Sequence, residues 1–373
     1  MTLPADQSRG SVLVFGGRGV VGCAALQLFE TLPQWRVTGL ARRPPGFETQ
    51  AEWLSIDLTD SADCTRRLAP RVGDVTHIVY CALYEERDLV GGWTERRQID
   101  LNLAMLKNAI APFMTAASAL RHVTLLQGTK AYGVHHGPYK MPAKESDPRF
   151  IASNFYYEQE DFLREVLTEG RGYTVLRPQI VCGFAIGNPM NAVTAIGTYA
   201  AICQELGQPF RFPGGAACFQ EAVDSRLLAR AILWAGQTPS CLGEIFNIAN
   251  GDCFSWPTIW PGFAERFGLS VGQSHPFSLA ATMADKGPIW DRIVKSHDLM
   301  PLAYDDIVHS WDFMDYLLRQ GSTVPRHSLV STIKARQHGF HDCVDTEAMF
   351  DEILGQLQDA RVLPRRRGLS AGI

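Results

Sequence analysis

Short apolar runs rich in β-branched residues alternate with amphipathic stretches along the first half of the chain. This alternation is typical of β-α-β units, and strands that are apolar almost throughout indicate a parallel sheet covered on both faces. The predicted strands are residues 11–15, 36–41, 53–56, 77–81, 122–127 and 173–177. The predicted helices include residues 20–31, 101–118 and 156–168. The first half is therefore expected to form a doubly wound parallel sheet.

The second half of the chain has a less regular pattern. Residues 183–187 have the composition of a loop, residues 190–205 form an apolar helical stretch, and residues 244–248 predict one more strand. From residue 252 the pattern is helical and rich in tryptophan. The expected architecture is an α/β domain with a smaller, mostly helical C-terminal lobe. The domain is expected to comprise residues 1–183 and 221–250, and the lobe residues 184–220 and 251–373.

A glycine-rich turn joins the first predicted strand to the first predicted helix. Glycines stand at positions 16, 19 and 22, in the spacing G-x-x-G-x-x-G. Such a turn lets the backbone approach a pyrophosphate, and the helix N-terminus offers free N–H groups and a partial positive charge. Strand, glycines and helix in this order predict a dinucleotide site in a Rossmann domain, so the smaller lobe is expected to bind the substrate. The turn residues expected to contact the dinucleotide are Gly16, Gly17, Arg18, Gly19, Val20, Val21 and Gly22.

The end of the second predicted strand distinguishes NADP from NAD. An acidic residue there would bind the ribose 2′-hydroxyl of NAD, whereas arginine can pair with the 2′-phosphate of NADP. This chain has Arg42 and Arg43 and no carboxylate at that position, which favours NADPH as the cofactor. The alternative is two solvated arginines in a loop.

Further cofactor contacts are expected where later strands end. Asp57 follows the third strand and could accept a hydrogen bond from the adenine amino group; the alternative for Asp57 is a helix cap. The other residues expected to contact the dinucleotide are Leu58, Ala82, Gln127, Gly128, Tyr156, Pro178 and Ile180.

The chain resembles the short-chain dehydrogenases/reductases in its glycine turn but departs from their catalytic pattern. Ordinary members carry Tyr-x-x-x-Lys on a helix and a serine at the end of an earlier strand. Here Glu160 stands four residues after Tyr156, Gly128 stands near the serine position, and a lysine occurs at Lys130 instead. We expect Lys130 to supply the cation from another direction and to lower the pKa of the catalytic tyrosine from its ordinary value of about 10.

Two adjacent tyrosines compete for the catalytic role. Neighbouring helical residues point in different directions, so only one of them is expected to face the nicotinamide. Tyr156 keeps the register of the superfamily's tyrosine and is the predicted catalytic residue, with Tyr157 as the alternative. His135 and His136, in a loop rich in glycine and proline, are expected at the surface.

Composition and charge exclude several other classes of protein. The chain has 373 residues and a formal net charge of −4, so no general attraction to nucleic acid or anionic membrane is expected. The nine cysteines form no Cys-x-x-Cys pair, which indicates free thiols in a reducing compartment, without disulfides or a metal site. The longest apolar stretch, residues 192–203, is too short to span a bilayer. A cytoplasmic location is therefore expected.

Two motifs resemble those of a known family. The strand end reads G-x-K-x-Y at residues 128–132, and the helix reads N-F-Y-Y-x-x-E-D at residues 154–161. Both are similar to signatures of the progesterone 5β-reductase/iridoid synthase-like enone reductases (PRISE), of which this chain would be a non-plant-like member. The other stretches that carry the resemblance are residues 177–178, 183–184, 190–191, 199–203, 211–214, 246–252 and 338–340.

The resemblance implies an activity and a set of substrate contacts. The implied reaction is the NADPH-dependent 1,4-reduction of an activated C=C bond, in which Tyr156 and Lys130 hold the enolate oxygen. The implied partner is a small hydrophobic carbonyl substrate, and a homodimer is the expected assembly. The residues expected to line the substrate pocket are Tyr84, Phe184, Met190, Asn191, Tyr199 and Phe340.

Two other functions remain open from the sequence. One is a carbonyl reductase or epimerase on the same fold, although such enzymes use the tyrosine–lysine pair that is absent here. The other is a non-catalytic NADP-sensing regulator, in which Tyr156 and Lys130 would be dispensable.

Overall fold

The computed structural model describes residues 10–167 and 170–366. Predicted segments at residues 1–9, at residue 168 and from 367 to 373 lie outside the described residues. The strands are β1 (Gly10–Phe15), β2 (Trp35–Ala41), β3 (Glu52–Ser55), β4 (His77–Tyr80), β5 (His122–Leu126), β6 (Gly172–Pro178), β7 (Ile180–Cys182), β8 (Ala222–Asp224) and β9 (Glu244–Ile248).

The helices alternate with these strands along the chain and continue after the last of them. They are α1 (Val20–Glu30), α2 (Ser61–Leu68), α3 (Leu89–Gly92), α4 (Arg96–Ile110), α5 (Phe155–Val166), α6 (Ala192–Glu205), α7 (Ser225–Gln237), α8 (Trp256–Phe267), α9 (Leu279–Met283), α10 (Gly287–Ser296), α11 (Tyr304–Ile307), α12 (Trp311–Leu317), α13 (Ile333–Gln337) and α14 (Thr346–Asp359). No helix in the described part of the chain is long and apolar enough to cross a membrane.

Seven strands form one parallel sheet in the order β3-β2-β1-β4-β5-β6-β9. The order reverses between β1 and β4, which is where doubly wound sheets bind their ligands. Residues 12–15 of β1 are completely buried, as expected for a central strand covered on both faces. The predicted Rossmann fold is confirmed.

The chain divides into two compact units. The first contains the residues up to Gln179, Ser225–Ile248 and Val330–Asp342, and it includes the seven-stranded sheet. The second contains Ile180–Asp224, Ala249–Leu329 and the residues from Cys343 onward. Two differences from the sequence prediction are that residues 330–342 cluster with the sheet, and that β7 pairs with β8 in the second unit.

Two histidines lie at the amino ends of β4 and β5, His77 half-buried and His122 buried. His122 contacts Thr174 Oγ1 through Nε2 at 3.0 Å, and His77 contacts the Gly236 carbonyl oxygen through Nε2 at 3.1 Å. The two rings lie 6.0 Å apart. Burial, together with the neighbouring His77, lowers the pKa of His122 to about 3, and burial also lowers the pKa of His77.

Acid is therefore expected to destabilise the first unit. Below the ordinary histidine pKa of about 6.5, His122 of the unfolded chain binds a proton, whereas His122 of the folded protein stays neutral down to about pH 3. Stability is fully present above about pH 6.5, and His122 alone removes about 1.4 kcal/mol for each pH unit below it. Urea unfolding of the wild type between pH 7 and pH 4.5 checks this slope. The slope should be shallower in His122→Gln and unchanged in His341→Gln, an exposed control; equal slopes in all three proteins would contradict the prediction.

Candidate active site

The turn after β1 and the first turn of α1 each contain one position with room only for glycine. Gly16 has a φ of +81°, and a Cβ there would lie 2.8 Å from the Ala82 backbone nitrogen. A Cβ on Gly22 would lie 2.3 Å from the Gly16 carbonyl oxygen. Helix α1 begins after Gly19 with no side-chain cap and no acidic residue in its first turn. The turn therefore leaves backbone N–H groups available to an anion, and it fits the pyrophosphate of a dinucleotide.

Three arginines gather near the carboxyl end of β2. Arg42 and Arg43 are exposed, and partial burial together with the charge of Arg43 lowers the pKa of Arg18. Over residues 10–167 and 170–366, none of the three forms an ion pair with a carboxylate. Like charges that gather without a counter-ion favour an anionic ligand at this edge of the sheet.

Asp57 lies at the carboxyl end of β3 but does not cap a helix. Its Oδ1 accepts hydrogen bonds from the backbone nitrogen and hydroxyl of Thr59, at 2.9 and 2.8 Å. The N-cap of α2 is Asp60. Leu58 is buried, and its carbonyl oxygen accepts a hydrogen bond from Asn108. The carboxylate of Asp57 is exposed at the sheet edge, as an adenine contact requires.

Helix α5 positions the two tyrosines differently. Its N-cap, Asn154, accepts a hydrogen bond from the Tyr156 backbone nitrogen at 3.0 Å and donates one to the Lys130 carbonyl oxygen at 2.9 Å. The Tyr157 hydroxyl donates to the Ala131 carbonyl oxygen at 2.7 Å and accepts from the Phe150 backbone nitrogen at 2.9 Å. The hydroxyl of Tyr157 is therefore used within the protein.

The Tyr156 hydroxyl faces Gly128 and makes no hydrogen bond to any residue that the structure describes. A Cβ on Gly128 would lie 3.5 Å from this hydroxyl and 3.5 Å from the Pro178 carbonyl oxygen. Gly128 has a φ of 176°, an extended backbone conformation that any residue can adopt. Backbone strain is therefore not the reason for a glycine at this position. The hydroxyl is free to donate to a ligand.

Lys130 approaches the tyrosine from the 3₁₀ turn Thr129–Tyr132. Its Nζ lies 5.9 Å from the centroid of the Tyr156 ring, 5.8 Å from that of Phe155 and 4.4 Å from that of Trp93. The carboxylate of Glu85 lies 3.5 Å from the same nitrogen. The ammonium group is thus enclosed by rings and one carboxylate.

The expected lowering of the tyrosine pKa by Lys130 is wrong. Burial raises the pKa of Tyr156 above its ordinary value, the charge of Glu85 raises it further, and Arg177 lowers it in part. Burial lowers the pKa of Lys130, and the Glu85 carboxylate acts in the opposite direction. The charge of Lys130 is balanced by Glu85, so Tyr156 remains a neutral hydrogen-bond donor.

A network of buried ion pairs and hydrogen bonds links α5 to the ends of β5 and β6. Arg177 donates to Glu160 Oε1 at 2.6 Å and to Gln127 Oε1 at 3.2 Å, and Gln127 donates to the Tyr156 carbonyl oxygen at 2.9 Å. Glu160 also accepts from Arg149 at 2.9 Å. The Glu160 carboxylate thus pairs with two arginines and forms no ion pair with Lys130 among the described residues.

The predicted substrate residues are divided between the two compact units. Tyr84 is half-buried in the loop after β4, beside Glu85. Phe340 is buried and packs against Trp234, 5.2 Å between ring centroids. In the second unit, Phe184 and Met190 are half-buried.

Two other predicted substrate residues have structural roles in the second unit. Asn191 caps α6 and donates hydrogen bonds to the Gly183 and Ala185 carbonyl oxygens. The hydroxyl of Tyr199 donates to the Arg211 carbonyl oxygen at 3.1 Å. Ile180, predicted to contact the cofactor, begins β7 in the same unit.

Sequence reasoning missed Glu85, Trp93, Arg177 and the position of His135. Glu85 could have been noticed because it follows an apolar strand at the carboxyl edge of the sheet, where ligands bind. His135 was expected at the surface, but it is half-buried with its ring 6.2 Å from Trp93, and only His136 is exposed. Burial, His136 and Lys130 together lower the pKa of His135 to about 3.

Metal ligands are not grouped in the described part of the chain. Within it, no cluster of three or more His, Cys, Asp or Glu side chains could hold a metal ion. The nine cysteines are free thiols, seven of them buried or half-buried.

The chain is similar to known proteins in both sequence and fold. Residues 12–305 match the PRISE-like Rossmann-fold domain. The chain is 32% identical over 371 residues to the (S)-8-oxocitronellyl enol synthase of Antirrhinum majus, covering 93% of this chain and 92% of the relative. It is 31% identical to the enzyme of the same name from Catharanthus roseus, covering 94% and 92%.

Solved structures agree in fold alone. The UDP-glucose 4-epimerase of Thermotoga maritima superposes with a TM-score of 0.65 at 16% identity, covering 94% of this chain and 99% of that one. The WbmH enzyme of Bordetella bronchiseptica, solved with NAD⁺, gives 0.63 at 14% identity, covering 94% and 99%.

Fold and sequence together define an oxidoreductase of the short-chain dehydrogenase/reductase class, as predicted. Within that class, the chain belongs to the PRISE family. The predicted family is confirmed.

Proposed function

We propose that the protein is an NADPH-dependent enone reductase that adds hydride to the β-carbon of an α,β-unsaturated carbonyl compound. The observation that carries the proposal is the Tyr156 hydroxyl, unpaired among the described residues and facing Gly128, with Lys130 Nζ 5.9 Å from the centroid of the Tyr156 ring. The Tyr156 hydroxyl and the Lys130 ammonium are present, but Gly128 stands at the position where a carbonyl-reducing relative would have a serine. The family relatives are named as enol synthases, and an enol is what protonation of the implied enolate gives.

The cofactor site is formed by residues of the first unit. The glycine turn, with its uncapped helix, would hold the pyrophosphate, and Arg18, Arg42 and Arg43 would hold the 2′-phosphate. NADPH, when bound, supplies the hydride. Gln127 and Gly128, which directly follow β5, would border the nicotinamide half.

Tyr156 and Lys130 stabilise the charge that develops on the substrate oxygen. As the β-carbon accepts hydride, negative charge grows on the carbonyl oxygen, which lies three bonds away at the other end of the conjugated system. Tyr156 donates a hydrogen bond to this oxygen, and Lys130 places a positive charge behind the tyrosine ring. Because the pKa of Tyr156 is raised, its proton stays on the hydroxyl and the group acts as a donor at neutral pH.

The substrate class follows from the surroundings of these two groups. Leu83, Trp93 and Phe155 border the site with apolar surface. Small hydrophobic enals and enones therefore suit it better than sugar nucleotides. A panel of small enals, enones and steroids with NADPH tests the proposal, with the product identified in each case. Saturated carbonyl products support it; allylic alcohols as the sole products would indicate a carbonyl reductase, and no turnover of any member would favour a cofactor-sensing protein.

The arginine cluster gives a prediction about cofactor choice. Arg42→Ala is expected to weaken NADPH binding roughly ten- to a hundredfold and to leave NADH binding almost unchanged, because a charge-assisted hydrogen bond to phosphate contributes about 1.5–3 kcal/mol. Isothermal titration with both cofactors measures this. Arg36→Ala, at the other end of β2, is the matched control, since Arg36 is exposed and pairs with Asp74. Equal losses for NADPH and NADH in Arg42→Ala would show that Arg42 does not contact the 2′-phosphate.

A further inference from the structure

Glu85 and Lys130 form a buried ion pair at the candidate active site. Glu85 Oε1 lies 3.5 Å from Lys130 Nζ, and only 6% and 12% of the two side chains are exposed. This separation is too long for a well-formed hydrogen bond, and both atoms are buried without another hydrogen-bond partner among the described residues. Two charges are thus held close together, away from water, on segments 45 residues apart in the sequence.

Helix α4 fixes the loop that carries Glu85. Gln98, which is completely buried, donates from Nε2 to Glu85 Oε2 at 2.6 Å and accepts at Oε1 from the Glu86 backbone nitrogen at 3.0 Å. Asn102, also completely buried, bonds to both backbone groups of Tyr84 at 2.9 Å. Two buried amides therefore orient one carboxylate toward Lys130. Burying amide side chains costs free energy unless they are hydrogen-bonded, and a solvated loop would not need to bury them.

The other surroundings of Lys130 are mostly aromatic. Trp93, Phe155 and Tyr156 contact the ammonium through their ring faces. His135, whose pKa is lowered in part by Lys130, adds no negative charge. In the part of the chain that the structure describes, Glu85 is the carboxylate that forms an ion pair with Lys130.

We propose that Glu85 is a positioning residue for the enone reduction, which holds the Lys130 ammonium behind the Tyr156 ring and keeps it charged. The inference rests on the proposed function and extends it to a residue outside the tyrosine–lysine motif. Burial favours neutral Lys130, and the carboxylate opposes that effect. The same carboxylate opposes ionisation of Tyr156, which Arg177 favours, so Glu85 keeps the lysine protonated and the tyrosine neutral.

The test compares Glu85→Gln with the wild type. The amide keeps the shape and the contact with Gln98 but removes the charge, so the pKa of Lys130 is expected to fall by about one unit or more. The alkaline limb of the kcat/KM profile should move to lower pH by the same amount, and kcat at pH 8 should fall roughly tenfold or more while the Kd for NADPH stays within about twofold. Glu86→Gln is the matched control, because Glu86 is the next residue and pairs with Arg97 at 3.6 Å. Its profile should follow the wild type.

A direct titration separates this inference from the proposed function. The chain has seven lysines, so the ¹³Cε signal of Lys130 can be assigned by its loss in Lys130→Met and followed against pH. A lower Lys130 pKa in Glu85→Gln supports the pairing even if no enone is reduced, in which case the proposed function alone fails. An unchanged Lys130 pKa, or an unchanged alkaline limb in an active Glu85→Gln enzyme, would overturn the inference. If Glu85→Gln does not fold, Glu85→Asp, which keeps the charge at a shorter reach, should show an intermediate pKa; a value equal to that of the wild type would overturn it as well.

Discussion

Tyr156→Phe is expected to reduce kcat for enone reduction roughly 10²–10³-fold, because it removes one preorganised donor to a developing oxyanion. The Tyr156 hydroxyl makes no hydrogen bond within the described protein, so its loss leaves packing and NADPH affinity almost unchanged. Steady-state kinetics together with a titration of NADPH measure both quantities. Lys130→Met, which removes only the charge behind the ring, should lower kcat in the same way.

The matched control for this prediction is Tyr157→Phe. The Tyr157 hydroxyl bonds to the Ala131 carbonyl oxygen and the Phe150 backbone nitrogen, so its loss should reduce stability and leave most of the turnover. Full enone-reductase activity in Tyr156→Phe, with a large loss in Tyr157→Phe, would transfer the catalytic role to Tyr157.

Glu160→Gln is expected to lower the free energy of unfolding by about 3–5 kcal/mol, because it leaves the Arg177 guanidinium buried without its counter-ion. Arg177 and Glu160 side chains are 5% and 2% exposed. The same network reaches the backbone of Tyr156 through Gln127, so turnover should fall along with stability. Urea unfolding measures the first effect and kinetics at low temperature the second.

The neighbouring carboxylate provides the control for this change. Asp161 pairs with Arg149 and Arg164, but its side chain is 53% exposed. Ion pairs in contact with water contribute about 0–1 kcal/mol, so Asp161→Asn should change stability by no more than that. Equal losses in the two variants would show that burial of the Arg177–Glu160 pair has no special effect.

The elements that carry the cofactor could be predicted from local sequence. The β1 run is rich in apolar and β-branched residues. The glycines that follow it are needed because a Cβ at Gly16 or Gly22 would clash with the backbone, and a glycine is visible in the sequence itself. The seventh strand, Glu244–Ile248, was predicted with its observed bounds. The register of Tyr156 also follows from its own segment, because Asn154 begins the helix two residues earlier.

Contacts between distant segments could not be predicted in this way. Glu85 lies in a loop whose polar composition indicates solvent exposure, and its burial depends on Gln98, Asn102 and Lys130 meeting in three dimensions. The prediction that the pKa of Tyr156 is lowered was wrong for the same reason. Its direction depends on how deeply the hydroxyl is buried and on a carboxylate 71 positions away in the chain, neither of which a motif records.

The position of transferred deuterium tests the central claim most directly. The enzyme would be supplied with NADPH carrying deuterium at the transferable position and with a small enal or enone from the panel, and the product would be analysed by NMR. The account predicts deuterium on the β-carbon of a saturated carbonyl product, because Tyr156 and Lys130 hold the oxygen at the other end of the conjugated system. Deuterium on a newly formed carbinol carbon, with the double bond retained, would contradict it.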